Sequence, residues 1–412
     1  MKKIVLVGSL DTKGREYAYL RDRLYDNGVD VIVIDAGVQD PVGIEADHSN
    51  QVVAELAGTS LTELRERGDR AEALNKMAAG AGVLLRRLHA EGHLDAVAGL
   101  GGTGGSTLVS AAMRELPVGT PKLLVSTVAS GDTRAYVGNT DITMMNSIVD
   151  IAGINRISAK ILNNAAAAAA GLAKRTEVPS SGHGRVIGAT MFGLTTPCVT
   201  AAREYLEARG YEVLVFHATG AGGQALEGLI DAGLVDGMLD TTTTELADNL
   251  VGGVFSAGPD RLTAAGRRGI PQVVSVGAVD MVNFGPEDTV PERFSTRRFH
   301  RHNATVTLMR TTPSENELIG KEIASKVNAA TGPSAVYFPL RGVSGIDVEG
   351  GSFFWPEADA ALEKALSENL NPEIPLEVLD MTLNDPEFGV AMASRLHDLM
   401  QVAYPDIRER HS

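Results

Sequence analysis

Residues 96–108 read AVAGLGGTGGSTL: a short apolar run, then Gly101, Gly102, Gly104 and Gly105, then the hydroxyl pair Ser106 and Thr107. The apolar run has the composition of a buried strand. Glycines after it let successive backbone N–H groups converge on one point without Cβ obstruction, and a helix beginning near Ser106 adds its positive end and two hydroxyls. This is the grammar of an anion cradle, with a phosphate as the expected guest. The same grammar also serves where a helix merely packs close to a sheet, so the loop alone does not decide between the two.

Two further loops share the pattern. VLVGSLDTKG (5–14) and LLVSTVASGD (123–132) each run from a β-branched strand into small and polar residues with a turn-forming glycine. In a parallel α/β sheet the carboxyl ends of the strands share one edge, so the three loops are expected to line a single crevice. None is a Walker A loop, because Lys13 precedes Gly14 with no hydroxyl after it and the Gly101–Gly105 loop has no lysine. Gly99, Gly101 and Gly104 satisfy the spacing of a dinucleotide fingerprint, but the strand that follows, Pro121–Val128, ends without an acidic residue to hold a ribose. A mononucleotide is favoured over a nicotinamide cofactor.

Working outward, strand-like runs alternate with helix-like stretches: IVLVG, REYAYLRDRLYDNG, VDVIVIDAG, a long mixed region over 47–92, LDAVAGL and KLLVSTV. Such alternation predicts parallel βαβ units. From Ile148 the pattern reads as helical through the alanine run 165–170, which suits a helix packed closely on a neighbour or simply a connecting helix. EVPSSGHGR (177–185) then breaks the pattern, and the cycle restarts with RVIGATMFG, a helix, and YEVLVFHATG. Gly210 before YEVLVFHATG mirrors Gly28 before VDVIVIDAG. The expected fold is α/β, two Rossmann-like parallel-sheet modules in tandem, over 1–178 and 184–412.

The chain has 412 residues, 44% of them apolar, and a formal charge of −15. That length accommodates about two or three domains. The acidic balance disfavours nucleic acid and anionic membrane as partners. Its one basic cluster, ERFSTRRFHRHN (292–303), stands alone and reads as part of a site or subunit contact. A single cysteine, Cys198, suits a reducing compartment, and MKKIVLVG is too short an apolar stretch for a signal peptide, so a cytoplasmic location is expected.

In the second half, polar residues end strands: His217, Asp240 with the threonines after it, Asp280, Asn283, and Arg310 with Thr311. Together they read as a site for a small polar substrate or a hydrated metal, with His217, Asp280 and Arg310 as the catalytic set. Each also has a plain structural role open to it, as a turn cap or a satisfied buried group. His300 and His302 sit on one face if extended, and a metal there needs a third ligand such as Asp280 or His217, whose convergence a sequence does not show. No G-x-S-x-G elbow is present, and Cys198, after Pro197 at a helix start, reads as a small apolar residue rather than a nucleophile.

As an ordered series, GSLDTKG (8–14), GLGGTGGSTL (99–108), VSTVASGD (125–132), YVGNTDITMMNSIVDIAGIN (136–155), GATMFGLTTP (188–197), FHATGAGGQALE (216–227), DMVNFG (280–285), HNATVTLMRT (302–311) and VYFPLRGVSGID (336–347) resemble the ATP-binding family related to the plant inhibitor of tomato mosaic virus RNA replication. The resemblance spans nearly the whole chain. It implies ATP, a homodimer, and a separately encoded TIM-barrel partner, since some relatives carry such a barrel. It also implies ATP contacts on Ser9, Asp11, Thr12, Lys13, Gly101, Gly102, Thr103, Gly104, Gly105, Ser106, Thr107, Ser130, Gly131 and Asp132. Lys13 and the glycine cradle are expected to hold phosphates, and Asp11 or Asp132 to orient a hydrated Mg²⁺. The resulting expectation is an ATP-dependent enzyme acting on a small carboxylic or sugar acid; the alternative is a nucleotide-stabilised dimeric binding protein without turnover.

Overall fold

The structure, a computed structural model, describes residues 1–175 and 184–405. The chain divides into two compact units, Met1–Pro179 and Ser180–Ser412. Most of the boundary segment read from sequence, 176–183, lies outside the described residues. Both units are α/β, each built on a parallel sheet.

In unit 1 the order is β1 (Lys3–Gly8), α1 (Leu10–Asp26), β2 (Asp30–Asp35), α2 (Asn50–Leu56), α3 (Leu61–Arg67), α4 (Arg70–Ala90), β3 (Ala96–Gly101), α5 (Thr103–Met113), β4 (Lys122–Ser126), α6 (Arg134–Val137), β5 (Ile142–Asn146) and α7 (Arg156–Ala173). The sheet runs β2-β1-β3-β4-β5, all parallel. Alternation along β1 explains the two layers: Ile4 and Leu6 pack against α1 and α7, whereas Val5 and Val7 pack against α4 and α5. The alanine run lies in α7, whose Ala165, Ala166, Ala169 and Ala170 are buried on the same side of unit 1 as α1. Small side chains there let α7 sit close to the sheet.

This strand order places a topological switch point between β1 and β3, where ligands of such folds bind. The two strands stay in register only as far as Leu6 and Ala98. Beyond that point the Tyr17 hydroxyl, fully buried, takes over the backbone groups that pairing has released. It donates to Val7 O at 2.7 Å, lies 3.0 Å from Leu100 O, and accepts Leu100 N–H at 2.9 Å. A Cβ on Gly8 would lie 1.9 Å from that oxygen, so glycine is required there.

Unit 2 repeats the plan. Its elements are β6 (Val186–Met191), α8 (Thr196–Glu207), β7 (Glu212–His217), α9 (Ala221–Asp231), β8 (Gly237–Thr242), α10 (Thr244–Val251), α11 (Ala264–Arg268), β9 (Gln272–Gly277), β10 (Met281–Phe284), β11 (Phe299–Arg301), β12 (Thr307–Arg310), α12 (Pro313–Asn328), β13 (Ser334–Pro339), α13 (Pro356–Asn369), β14 (Leu376–Leu379) and α14 (Pro386–Ala403). The parallel sheet reads β7-β6-β8-β9-β13-β14, the order of unit 1 extended by one strand. A small antiparallel sheet, β10-β12-β11, is added at the carboxyl edge. No helix among the described residues is long and apolar enough to cross a membrane.

Two sequence expectations need correction. The helix after the glycine loop starts at Thr103, not Ser106, because the glycines themselves form its first turn. The segment from Ile148 is not helical: β5 is followed by an irregular stretch, and α7 begins only where Asn155 caps it with a reciprocal Asn155–Ser158 capping box. Because Tyr17 satisfies buried backbone at the split, Tyr17→Phe is expected to cost about 1–3 kcal/mol of unit 1 stability, read as a lower urea midpoint; an unchanged midpoint would show that the hydroxyl is dispensable.

Candidate functional site

The glycines of the β3–α5 loop fall into two groups. A Cβ on Gly99 would lie 2.6 Å from Val109 Cγ1, and one on Gly101 2.7 Å from Gly105 backbone, so packing alone demands glycine at both. Gly102 and Gly105 meet nothing nearer than 3.8 and 3.6 Å, and Gly104 meets the end of the Arg70 side chain at 3.3 Å and Leu74 Cδ1 at 3.7 Å. Packing does not explain these three. The amides of Thr103, Gly104 and Gly105, at the start of an 11-residue helix, have no protein acceptor among the described residues, and the helix N-cap Gly102 offers no side chain. They are donors aimed outward from a positive helix end.

Beside them a cleft of about 350 Å³ is lined by Ser9, Asp11, Thr12, residues 36–39, Arg70, Ala73, Leu74, Met77 and Leu108. It lies on the β1–β2 side of the switch point. Its walls combine polar groups from the start of α1 with apolar side chains from α4 and α5, the make-up of a small-molecule pocket.

Two carboxylates clasp the turn after β2. Asp35 accepts Gly37 N–H at 2.8 Å and Leu10 N–H at 3.2 Å through Oδ1, and Asp11 Oδ2 accepts Val38 and Gln39 N–H, each at 3.0 Å. Their other oxygens, Asp35 Oδ2 and Asp11 Oδ1, are buried without a partner. Burial, and then the neighbouring Asp11 charge, push the Asp35 carboxyl up to about 6. A cation beside the two free oxygens would offset that cost.

The remaining first-unit residues sort differently from expectation. Lys13 is turned to the carbonyl of Ile151 and does not line the cleft. Ser106 is buried, its hydroxyl 2.6 Å from Ser126 Oγ and bonded to Gly101 O, so it ties β3 to β4 rather than facing a ligand. Thr107 bonds back to Thr103 O on the exposed face of α5. Ser130, Gly131 and Asp132 are exposed on the loop after β4, which lies on the far side of β3 from β1. Both Asp132 oxygens are engaged by Arg134, whose hydrogen bonds hold that carboxyl down at about 2. The three loops thus share an edge but not one cleft.

Unit 2 has the same split between its first two central strands, but the protein fills it. Arg261, fully buried, forks onto Asp240 at 2.5 and 2.7 Å and bonds Glu245 through Nε at 2.6 Å. Glu245 Oε1 in turn accepts the amides of Gly220 and Gly223 at 2.7 and 3.1 Å. The glycine loop HATGAGG is therefore an anion cradle whose guest is the protein's own glutamate. Asp240 is a structural ion-pair partner, and Arg261 carried no motif that could have announced it.

Of the expected catalytic set, two members come together in one cluster and no hydrogen bond among the described residues joins His217 to them. Asp280 and Arg310 do share a cluster, with Asp347 and Asp359, but it is buried, and the Arg310 guanidinium is engaged by Phe353 O at 2.7 Å, Asp359 at 2.8 Å, Asp347 at 3.2 Å and Thr311 Oγ1 at 3.2 Å. Asp280 accepts Ser344 Oγ at 2.8 Å, and desolvation raises it to about 6. His217 stands outside this cluster, exposed, with its ring 5.5 Å from that of Phe192. Asn283 holds Asp248, and Thr311 bonds Val279 O. His300 bonds Ser352, and the basic cluster is stitched into its own unit, Arg297 to Glu315 at 2.6 Å and Arg298 over Trp355. No group of three or more His, Cys, Asp or Glu is placed to hold a metal among the described residues. Burial pushes the Cys198 thiol up to about 12, which leaves it an apolar core residue.

With this geometry in view, the comparisons define the class. The N-terminal domain of the uncharacterised protein family UPF0261 matches residues 2–178 and its C-terminal domain residues 184–400; the chain belongs to that family. A UPF0261 protein of Clostridium tetani is 50% identical over 97% of this chain and 99% of its own length. The tomato protein named ToMV resistance protein Tm-1(GCR237) is 47% identical over 73% of this chain and 41% of its own. A solved structure, Acinetobacter baumannii MurG, aligns over 99% of this chain and 100% of its own at 11% identity with a TM-score of 0.22, too low to carry an argument.

The Asp35 geometry gives a pH signature. Its folded value, about 6, lies above the ordinary 3.8, so the folded state holds the proton more tightly. Stability from this group is present below the unfolded value and is lost as pH rises through about 6. Relative to Asp35→Asn, the native protein should therefore lose about 2–3 kcal/mol of stability between pH 4 and 7, measured by denaturant titration. Parallel pH curves for the two would contradict the assignment.

Proposed function

We propose that unit 1 binds ATP with Mg²⁺ in the cleft at the β1/β3 split. The observation that carries this reading is the contrast between the two glycine loops. One has its amides answered by Glu245 of the same chain; the other presents Thr103, Gly104 and Gly105 amides with no protein acceptor, beside glycines that packing does not require. An anionic ligand supplies the missing acceptor. The apolar wall of Val38, Leu74, Met77 and Leu108 suits a base, and the free oxygens of Asp11 and Asp35 suit a hydrated Mg²⁺, a hard ion that takes one or two carboxylates and keeps water. Bound there, Mg²⁺ would neutralise phosphate charge. Asp35 thus joins Asp11 as a metal-holding residue in place of Asp132.

Between turnover and binding alone, the burial of Arg310 and Asp280 favours binding: with its Nε and Nη2 donors held by protein oxygens, the guanidinium has no fork left for a substrate. The preferred reading is a nucleotide-stabilised binding protein, dimeric and cytoplasmic, with ATP ordering unit 1. Turnover of a small carboxylic or sugar acid is the second reading, and the exposed His217 is the residue that supports it.

A ligand bound only to the native state stabilises it by about 2.7 kcal/mol at a hundredfold excess over Kd. ATP·Mg is expected to raise the melting temperature of the native protein and to leave a folded Gly104→Val variant unmoved, since a branched side chain would fill the approach to the amides. No shift with ATP, ADP or AMP in the native protein would remove the nucleotide reading.

A further inference from the structure

Arg70 is the first residue of α4, where Asp69 caps the helix by accepting Ala71 and Glu72 N–H at 2.8 and 3.0 Å. A cation at the amino end of a helix opposes the helix dipole. The other arginines of this segment are answered: Arg65 by Val38 O at 2.7 Å, Arg67 by Glu63 and Glu72 at 2.6 Å each. Arg70 has neither a hydrogen bond nor an ion pair among the described residues, yet it lines the cleft. Its Nη2 lies 3.3 Å from the position of a Cβ on Gly104, over the first turn of α5. A guanidinium and three free amides therefore face the same space from two helices. Ala36, which lines that space, follows directly on the wholly buried Asp35 at the end of β2, whose Oδ2 has no partner.

We infer that Arg70 is the residue that reads the terminal phosphate of a polyphosphate ligand, pairing with it from α4 while the Thr103–Gly105 amides hold it from α5. The inference rests on the nucleotide reading of the cleft and goes beyond it by naming the side chain that discriminates a nucleoside di- or triphosphate from a monophosphate. Planar forked donors suit a phosphate, which pairs with two N–H groups at once. A lysine in the same place would supply charge without the fork.

The test is calorimetry of the full chain with Mg²⁺ and, in turn, ATP, AMP and inorganic tripolyphosphate, using the native protein, Arg70→Gln and Arg70→Lys. Because Arg70 is exposed and holds nothing in the fold, the unliganded melting temperature should be the same in all three. Arg70→Gln is expected to weaken ATP and tripolyphosphate by roughly ten- to a hundredfold, the loss of a charge-assisted pair, while AMP binding stays unchanged; Arg70→Lys should fall between. Equal ATP affinity in native protein and Arg70→Gln would overturn the role of Arg70 and leave the nucleotide site standing. An equal loss for AMP and ATP would also overturn it, since the side chain would then not be reading the phosphate tail. Tripolyphosphate binding that depends on Arg70, without any gain from the nucleoside, would keep Arg70 and remove the nucleotide. No binding of any of the three to the native protein would remove both.

Discussion

The buried hydroxyl of Tyr17 holds open the place on which the rest of unit 1 depends. Parallel strands part at a switch point, and parting strands release backbone groups that cannot be left unpaired in a dry interior. In unit 1 one phenol satisfies Val7 O and Leu100 N–H at once, at 2.7 and 2.9 Å. The strand ends are fixed without being filled. Space therefore remains between α1, the turn after β2 and α5, and the glycine loop can present its amides to it.

Unit 2 meets the same geometric problem with charge. Thr190 bonds Asp240 at 2.7 Å across the split, Arg261 locks onto Asp240 and Glu245, and Glu245 occupies the glycine loop. A buried arginine needs its partners to offset desolvation, and here every polar arm finds one. Two units with one strand order therefore differ in whether the split is closed by charged side chains of the protein or stays open.

Much of the fold was legible in the residues. Alternating apolar strands such as IVLVG and the glycine-terminated helices define parallel βαβ units, and the matching of Gly28–VDVIVIDAG with Gly210–YEVLVFHATG points to two related modules. The site was only half legible. A glycine demanded by packing, such as Gly101, and one left open, such as Gly102, look alike in a sequence; only the neighbours of a built Cβ separate them. An acidic residue to hold a ribose is looked for after the strand that follows the loop, whereas strand order puts a buried carboxylate, Asp35, at the end of β2 beside β1. Asp240 reads as a site residue, and Asp280 and Arg310 as catalytic, because polar residues at strand ends are ambiguous: their partners Arg261, Ser344, Asp347 and Asp359 lie 21 to 64 residues away. Arg70 sat in a long mixed helix with no motif, and the signal was the missing partner, which a sequence does not show.

The most direct measurement of this account is an amide chemical-shift titration of the isotopically labelled chain with ATP·Mg. The largest shifts are expected at Thr103, Gly104 and Gly105, with Gly220 and Gly223 unmoved because Glu245 already holds them. Shifts confined to Gly220 and Gly223, or no shift in either loop at saturating ATP·Mg, would contradict it.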